Sequence, residues 1–191
     1  MFLKGGSRVS TGARNCTGER RPQARLDEEA IGSDEARRLP RFARPPPKGA
    51  EMRIRSARSA DIEAMHALRL RVRENSLSDP GRVTEESYGP YVAAGSAWLA
   101  ETERGLGGFA VLDPAGASVW ALFVAPEAEG RGIGGALLDR LLAEARARGL
   151  RRLSLQTDPG TRAERFYTAA GWTKAGTSTT GELSFEKEVG E

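Results

Sequence analysis

The chain has 191 residues, with 29 basic and 26 acidic side chains and a formal net charge of +3. That length allows one domain of ordinary size plus an extension. The single cysteine, Cys16, excludes a disulfide framework, and one histidine beside one cysteine argues against a metal cluster or a Ser/Cys–His–Asp triad.

The charge is unevenly placed. Residues 1–50 hold 9 Arg and 2 Lys against 6 acids, few apolar side chains, and the run Pro45-Pro46-Pro47. This composition predicts a disordered extension over residues 1–51. The remainder carries 18 basic and 20 acidic residues. A domain over residues 52–191 therefore has no basic excess that would argue for nucleic acid. No apolar run near Met1 has the length of a signal peptide, and none approaches a membrane span. A cytoplasmic enzyme is expected, and the 25-to-4 excess of Arg over Lys points to a GC-rich, bacterial genome. Lys48-Gly49 would be encoded by a purine-rich run a few codons before Met52. Translation in the native host is therefore expected to begin at Met52, which the intact mass of the protein from that host would check.

Residues 52–56 alternate as a short strand. Ser59 is placed to cap a helix, with Asp61 and Glu63 in its first turn and Ile62, Met65, Leu68 and Val72 at helical spacing. His66 lies beside that stripe and reads as a packed helix residue. Residues 74–81 are turn-rich. Thr84 then caps a second helix, with Val83 and Tyr88 at staple positions and Pro90 set to kink or split it. Residues 97–101, 107–112 and 119–124 read as three strands joined by tight turns, an antiparallel meander.

Four glycines then fall within six residues, Gly130, Gly132, Gly134 and Gly135. A helix follows with Ile133, Leu137, Leu141 and Ala145 on its apolar face and Arg140, Glu144 and Arg148 on its wet face. Gly149 ends it. Residues 152–156 form a fifth strand, parallel to the fourth through the helical crossover. Thr161-x-x-Glu164 is a capping box for a short helix that Gly171 stops, and residues 172–176 and 182–189 form a last hairpin.

The glycine stretch turns backbone N–H groups toward one point at a helix N-terminus, which suits phosphate. GRGIGG fits the dinucleotide pattern G-x-G-x-x-G, and Asp158 stands where a ribose-binding acid would be wanted. However, residues 125–129 separate the glycines from their strand, and too little chain follows for a doubly wound fold. A Walker loop is excluded for want of Gly-Lys-Ser/Thr. A glycine-rich turn with no ligand is the remaining plain reading.

The segment Glu129-Gly130-Arg131-Gly132-Ile133-Gly134 resembles the acetyl-CoA loop of the GCN5-related N-acetyltransferase (GNAT) superfamily, Arg/Gln-x-x-Gly-x-Gly/Ala. Residues 122–127 look like that family's fourth strand and its exit. Downstream, Ala163-Glu164-Arg165-Phe166-Tyr167 with Gly171-Trp172 resembles the family's A-x-x-F-Y…G-F/W segment. The resemblance spans roughly residues 52–189.

It implies an α/β acyl-CoA N-acyltransferase fold, a mixed and mostly antiparallel sheet with helices on both faces. It also implies acetyl-CoA as co-substrate, no metal, and a small-molecule or protein amine as acceptor, with a homodimer open. The implied cofactor site comprises Leu122, Phe123, Val124, Gly130, Arg131, Gly132, Ile133, Gly134 and Gly135. The fourth and fifth strands are expected to part after Val124. Tyr167 is the implied general acid, and Glu74, Asn75 and Tyr88 are substrate-side candidates. Phe166 reads as core packing.

Departures from the family pattern stand out. Glu129 occupies the place of the usual Arg or Gln, Gly160 stands near the place where many relatives have Asn, and the fourth strand carries no carboxylate for a general base. Glu101, Glu74, Asp158, a water chain or an amine that arrives neutral could meet that need. The missing carboxylate also motivates the rival reading, a non-catalytic acyl-CoA-binding regulatory domain.

Overall fold

A computed structural model describes residues 52–72, 83–179 and 181–190. Seven strands form one sheet in the order β1-β2-β3-β4-β5-β7-β6. They are β1 (Met52–Ser56), β2 (Ala97–Thr102), β3 (Gly105–Asp113), β4 (Ser118–Val124), β5 (Arg152–Thr157), β6 (Thr173–Thr177) and β7 (Leu183–Glu188). Every neighbouring pair is antiparallel except β4 and β5. The helices are α1 (Ile62–Arg71), α2 (Gly89–Ala93), α3 (Ile133–Ala147) and α4 (Arg162–Ala169). The expected mixed sheet is observed.

The entry to α1 differs from expectation. A 3-10 turn, Ser59–Asp61, precedes the helix, and no side chain caps it from the Ser59 position. Asp61 organises the turn instead. Its carboxylate accepts the Arg58 N–H at 2.7 Å and both ends of the Arg55 guanidinium at 2.7 and 2.8 Å. That Arg55 pairing holds the carboxyl below the usual range of aspartate. A carboxylate reaches further than a hydroxyl and brings charge, so it displaces the weaker cap. The second helical stretch splits as its proline predicts. Thr84 opens a 3-10 turn, Glu85–Tyr88, and Pro90 sits at the start of α2, where its missing N–H costs nothing.

Alternation along β3 separates the two faces of the sheet. Phe109 stacks on Phe123 and meets Tyr88 edge-on, toward α1 and α2. Gly107 and Gly108 lie under α3. A Cβ on Gly108 would stand 2.7 Å from the Phe123 carbonyl oxygen and 3.1 Å from both Ile133 and Leu137. Glycine here lets α3 settle onto the sheet so that Ile133, Leu137 and Leu141 bury fully. Gly108→Ala is expected to cost about 2–4 kcal/mol, because a backbone carbonyl cannot move aside cheaply. Chemical denaturation of the variant beside the parent measures this, and a cost below about 0.5 kcal/mol would mean the helix shifts freely.

β4 contains one irregularity with consequences. Val111 pairs with Ala121 and Leu112 with Val119, leaving Trp120 as the extra residue of a bulge. The bulge turns Trp120 to the α1–α2 face. There it meets Tyr88 at 5.2 Å and Tyr91 at 4.9 Å between ring centroids.

Candidate active site

β4 and β5 are joined by one residue pair only, Ser118 with Ser154, supported by a 3.0 Å bond from the Ser154 N–H to the Ala117 carbonyl. The strands part there, well before Val124, where the sequence placed the split. Each strand is satisfied elsewhere: β3 pairs along β4, and β7 pairs with all six residues of β5. Sheet twist then carries the two apart. Residues 122–124 keep an unpaired backbone flank on the β5 side.

That flank borders a cavity of about 830 Å³. One wall is β4 with Leu122, Phe123 and Val124. The floor is the loop from Pro126 to the start of α3, and the far wall is α4 with Ala163, Phe166 and Tyr167. Gly130 and Gly132 have φ of +72° and +81°, so the loop reaches α3 through left-handed turns that favour glycine. No side chain caps α3. Its first-turn N–H groups, at Ile133, Gly134 and Gly135, carry the positive end of a 15-residue helix toward this space.

The electrostatics match an anionic guest. Among the described residues, Arg71, Arg162 and Arg165 line the cavity against one carboxylate, Glu129. Glu129 is ion-paired with Arg162, the first residue of α4, so the loop and the far wall are tied across the mouth. Arg71, at the end of α1, bonds Glu127 at 2.7 Å on the rim. A polyanion with an apolar arm is the ligand that such a lining accommodates.

The structure brings together most of the sequence-derived candidates. Leu122, Phe123, Val124, Gly130, Gly132, Ile133 and Gly134 line the cavity, as does Tyr167. Arg131 and Gly135 adjoin it but are not among the lining residues. Phe166 packs on the core and also lines the cavity, so it does more than core packing. Tyr88 is fully buried among His66, Phe109 and Trp120, on the opposite side of β4 from α3, and does not line the cavity. Glu74 and Asn75 lie outside the described residues.

Tyr167 is 6% exposed and meets Phe166, Trp172 and Phe185 with its ring. Burial pushes its hydroxyl well above the ordinary tyrosine range, so it stays protonated. The candidate bases fare differently. Glu101 receives the Arg55 Nε at 2.7 Å on β2, away from the cavity lining. Asp158 is not among the cavity-lining residues either, and Glu129, the lining carboxylate, bonds Arg162.

Sequence reading missed the arginines. Arg71, Arg162 and Arg165 come from two helices distant in sequence, and an arginine-rich chain gives no signal for which ones converge.

The model of the Acetyltransferase (GNAT) family matches residues 62–172. A search of curated proteins gave no match. Among solved structures, the chain is similar to an N-acetyltransferase from Staphylococcus aureus Mu50, with 21% identity, 73% of this chain and 99% of that one covered, and a TM-score of 0.61. It is similar to Ard1 from Thermoplasma volcanium, with 19% identity, 73% and 99% covered, and a TM-score of 0.62. It is also similar to Rv2747 from Mycobacterium tuberculosis, a structure in complex with CoA, with 19% identity, 71% and 98% covered, and a TM-score of 0.59. At these identities the structural likeness speaks for the fold.

Proposed function

The chain belongs to the acetyltransferase (GNAT) family, and from that premise we propose that it transfers an acetyl group from acetyl-CoA to a primary amine by direct attack of the amine on the thioester. One observation carries this reading: the unpaired flank of residues 122–124 and the uncapped start of α3 open into the same cavity. The first offers main-chain donors and acceptors to an amide-bearing arm, as for an added strand. The second offers N–H groups from residues 131–135 to a pyrophosphate.

Acetyl-CoA supplies the activated acyl group. The chain's residues do the rest. A backbone N–H of the open flank near Phe123 and Val124 stabilises the oxyanion that develops on the acyl carbonyl. The Tyr167 hydroxyl donates to the departing sulfur. Among the described residues the one carboxylate of the cavity lining, Glu129, is paired with Arg162, so the amine enters neutral, and no acyl-enzyme is required.

The same lack of a base favours the second reading, a regulatory domain that binds acyl-CoA without turnover. Calorimetric titration of the full chain with acetyl-CoA, with NAD as control, tests the shared premise. Release of CoA on adding amines separates the two. Micromolar acetyl-CoA binding with amine-dependent CoA release is expected. Binding without release from any amine would favour the regulatory reading, and no binding would remove both.

The Glu129–Arg162 pair yields a further expectation. Their side chains are 32% and 55% exposed, so the pair contributes well under about 1 kcal/mol to stability. Its effect lies in the charge it presents to the ligand. Glu129→Gln is expected to tighten acetyl-CoA binding about 2- to 5-fold. Arg162→Ala, which leaves Glu129 unpaired, is expected to weaken it about 5- to 20-fold. Both effects should shrink in high salt. Equal Kd values across both variants would place the phosphates away from this pair.

A further inference from the structure

Behind Phe123, on the α1–α2 side of β4, three buried polar atoms lack a hydrogen-bond partner: Nη1 of Arg69, Oη of Tyr88 and Nδ1 of His66. They form one cluster. The Arg69 guanidinium lies 4.9 Å from the Phe123 ring centroid and 5.6 Å from that of Trp120. The Tyr88 ring meets Trp120 at 5.2 Å and His66 at 6.0 Å. Arg69 stands close enough to Tyr88 to oppose the upward shift that burial gives its phenol, yet the two do not meet hydrogen-bond geometry.

The cluster holds a fixed positive charge and no negative one. A guanidinium has donors only and keeps its charge at any working pH, and a phenol that burial keeps protonated donates as well as accepts. Stacking on two rings stabilises the cation through their faces but leaves the N–H bonds of Nη1 without an acceptor. A buried cation and a buried hydroxyl that both lack an acceptor are costly to hold. Among the described residues no carboxylate bonds to Arg69. What complements the cluster is a planar anion that takes several N–H and O–H bonds at once, and a carboxylate does this.

Its position assigns it to the acceptor rather than the cofactor. The cofactor cavity has its own cations in Arg71, Arg162 and Arg165, and Arg69 is not part of its lining. Phe123 connects the two. It lines the cavity at the open flank of β4, and its ring carries Arg69 on the other side. Arg69 therefore borders the open flank through Phe123, from the α1 side. The residue as a whole keeps partial exposure.

On the acetyltransferase reading given above, we propose that Arg69, with Tyr88 behind it, binds a carboxylate of the acceptor, so that the substrate is a small amino acid whose amine lies within a few bonds of that carboxylate. Polyamines and other purely cationic amines are repelled by the same charge.

The test begins by measuring acetyl-CoA affinity of the full chain, so that failure of the acetyltransferase reading is seen separately. The standard L-amino acids, β-alanine and γ-aminobutyrate are then assayed for CoA release, each beside its amide. At least one acid should exceed its amide by about tenfold or more in kcat/KM, as loss of a charged hydrogen-bond pair predicts. Arg69→Gln should lower kcat/KM for that acid about 10- to 100-fold, erase the preference over the amide, and leave the acetyl-CoA Kd unchanged. Tyr88→Phe guards against misfolding of the first variant. It removes a hydroxyl that bonds nothing, so thermal stability should hold or rise while the preference for the acid weakens about 3- to 10-fold. Amides that serve as well as acids would overturn the proposal. So would an acid-to-amide ratio unchanged in Arg69→Gln, or bound acetyl-CoA with no amino acid acetylated. Absence of acetyl-CoA binding would remove the parent reading and this one with it.

Discussion

Gly134→Leu is expected to abolish useful acetyl-CoA binding, raising Kd by about 100-fold or more, which is close to 3 kcal/mol, while the fold survives. The geometry at Gly134 separates these two effects. A Cβ there would lie 3.5 Å from Val124 Cγ2 and 3.6 Å from Phe166 Cε2, ordinary contact distances with no backbone in the way. Nothing in the protein must move to admit the first carbon. Beyond that carbon the side chain enters the gap between β4 and α4, where both facing residues line the cavity. Leucine is also a better helix former than glycine by nearly 1 kcal/mol, so thermal stability should be unchanged or higher. Gly134→Ala provides the graded control, with Kd expected within about tenfold of the parent because one methyl fills little of the cleft. Calorimetry for Kd and a melting curve for stability check both variants. A leucine variant that melts normally and binds acetyl-CoA normally would mean that the ligand does not pass between Val124 and Phe166.

The contrast between Gly134 and Gly108 explains what the sequence could reveal. Gly130 and Gly132 were legible because the loop and the helix start need left-handed φ there, and clustered glycine is how a chain provides that. The antiparallel meander, the helix crossover and the α3 stripe followed from alternation, turn residues and periodicity, whereas the places of β1 beside β2 and of β7 between β5 and β6 did not, and Gly149 ended the helix with φ of +73°. Gly107 and Gly108 gave no such signal. Their role is a close approach of helix to sheet, a property of two elements that meet only in the fold. Trp120 was hidden for a different reason. Strict alternation would group it with Leu122 and Val124 toward α3, and only the bulge turns it to Tyr88 and Arg69. The point where β4 and β5 part was misjudged because the local sequence shows where a strand ends, not where its partner leaves it. That point is decided by the competing pairings with β3 and β7.

The capping of α4 shows the same limit on a small scale. Thr161 accepts the Glu164 N–H at 3.3 Å, as the spacing predicts. Glu164, however, returns to the Gly160 N–H at 2.6 Å rather than to Thr161. Gly160 adopts φ of +76°, which turns that N–H inward. Glu164 also receives Lys174 from β6 at 2.6 Å, and this pairing with the Gly160 bond holds its carboxyl below the usual range. The helix that presents Tyr167 to the cavity is therefore fixed at its start by a local cap and a contact from the last hairpin. Mobility of that helix would blur the position of the tyrosine hydroxyl, on which the proposed donation to the leaving sulfur depends.

Tyr167→Phe is expected to lower kcat about 10- to 100-fold and to leave the acetyl-CoA KM within about threefold. The phenyl ring keeps the contacts with Phe166, Trp172 and Phe185, so packing is preserved and the change isolates the hydroxyl. Full proton transfer from that hydroxyl is disfavoured. An ordinary phenol lies about 1.5 pKa units above a thiol, roughly 2 kcal/mol uphill, and burial raises this phenol further. On the proposed mechanism it supplies instead a hydrogen bond to the developing thiolate, worth about 1.5–3 kcal/mol, which sets the predicted range. The sign of the shift gives a second readout. Because burial raises its pKa above the ordinary value near 10, Tyr167 stays protonated throughout the neutral and mildly alkaline range. Any fall in kcat below about pH 9 must therefore belong to another group and persist in the Phe variant. Steady-state kinetics against pH for both proteins make the measurement. A rate unchanged in Tyr167→Phe would free the leaving group from any donor on α4, and total loss of turnover with intact acetyl-CoA binding would mean that the proton itself is transferred.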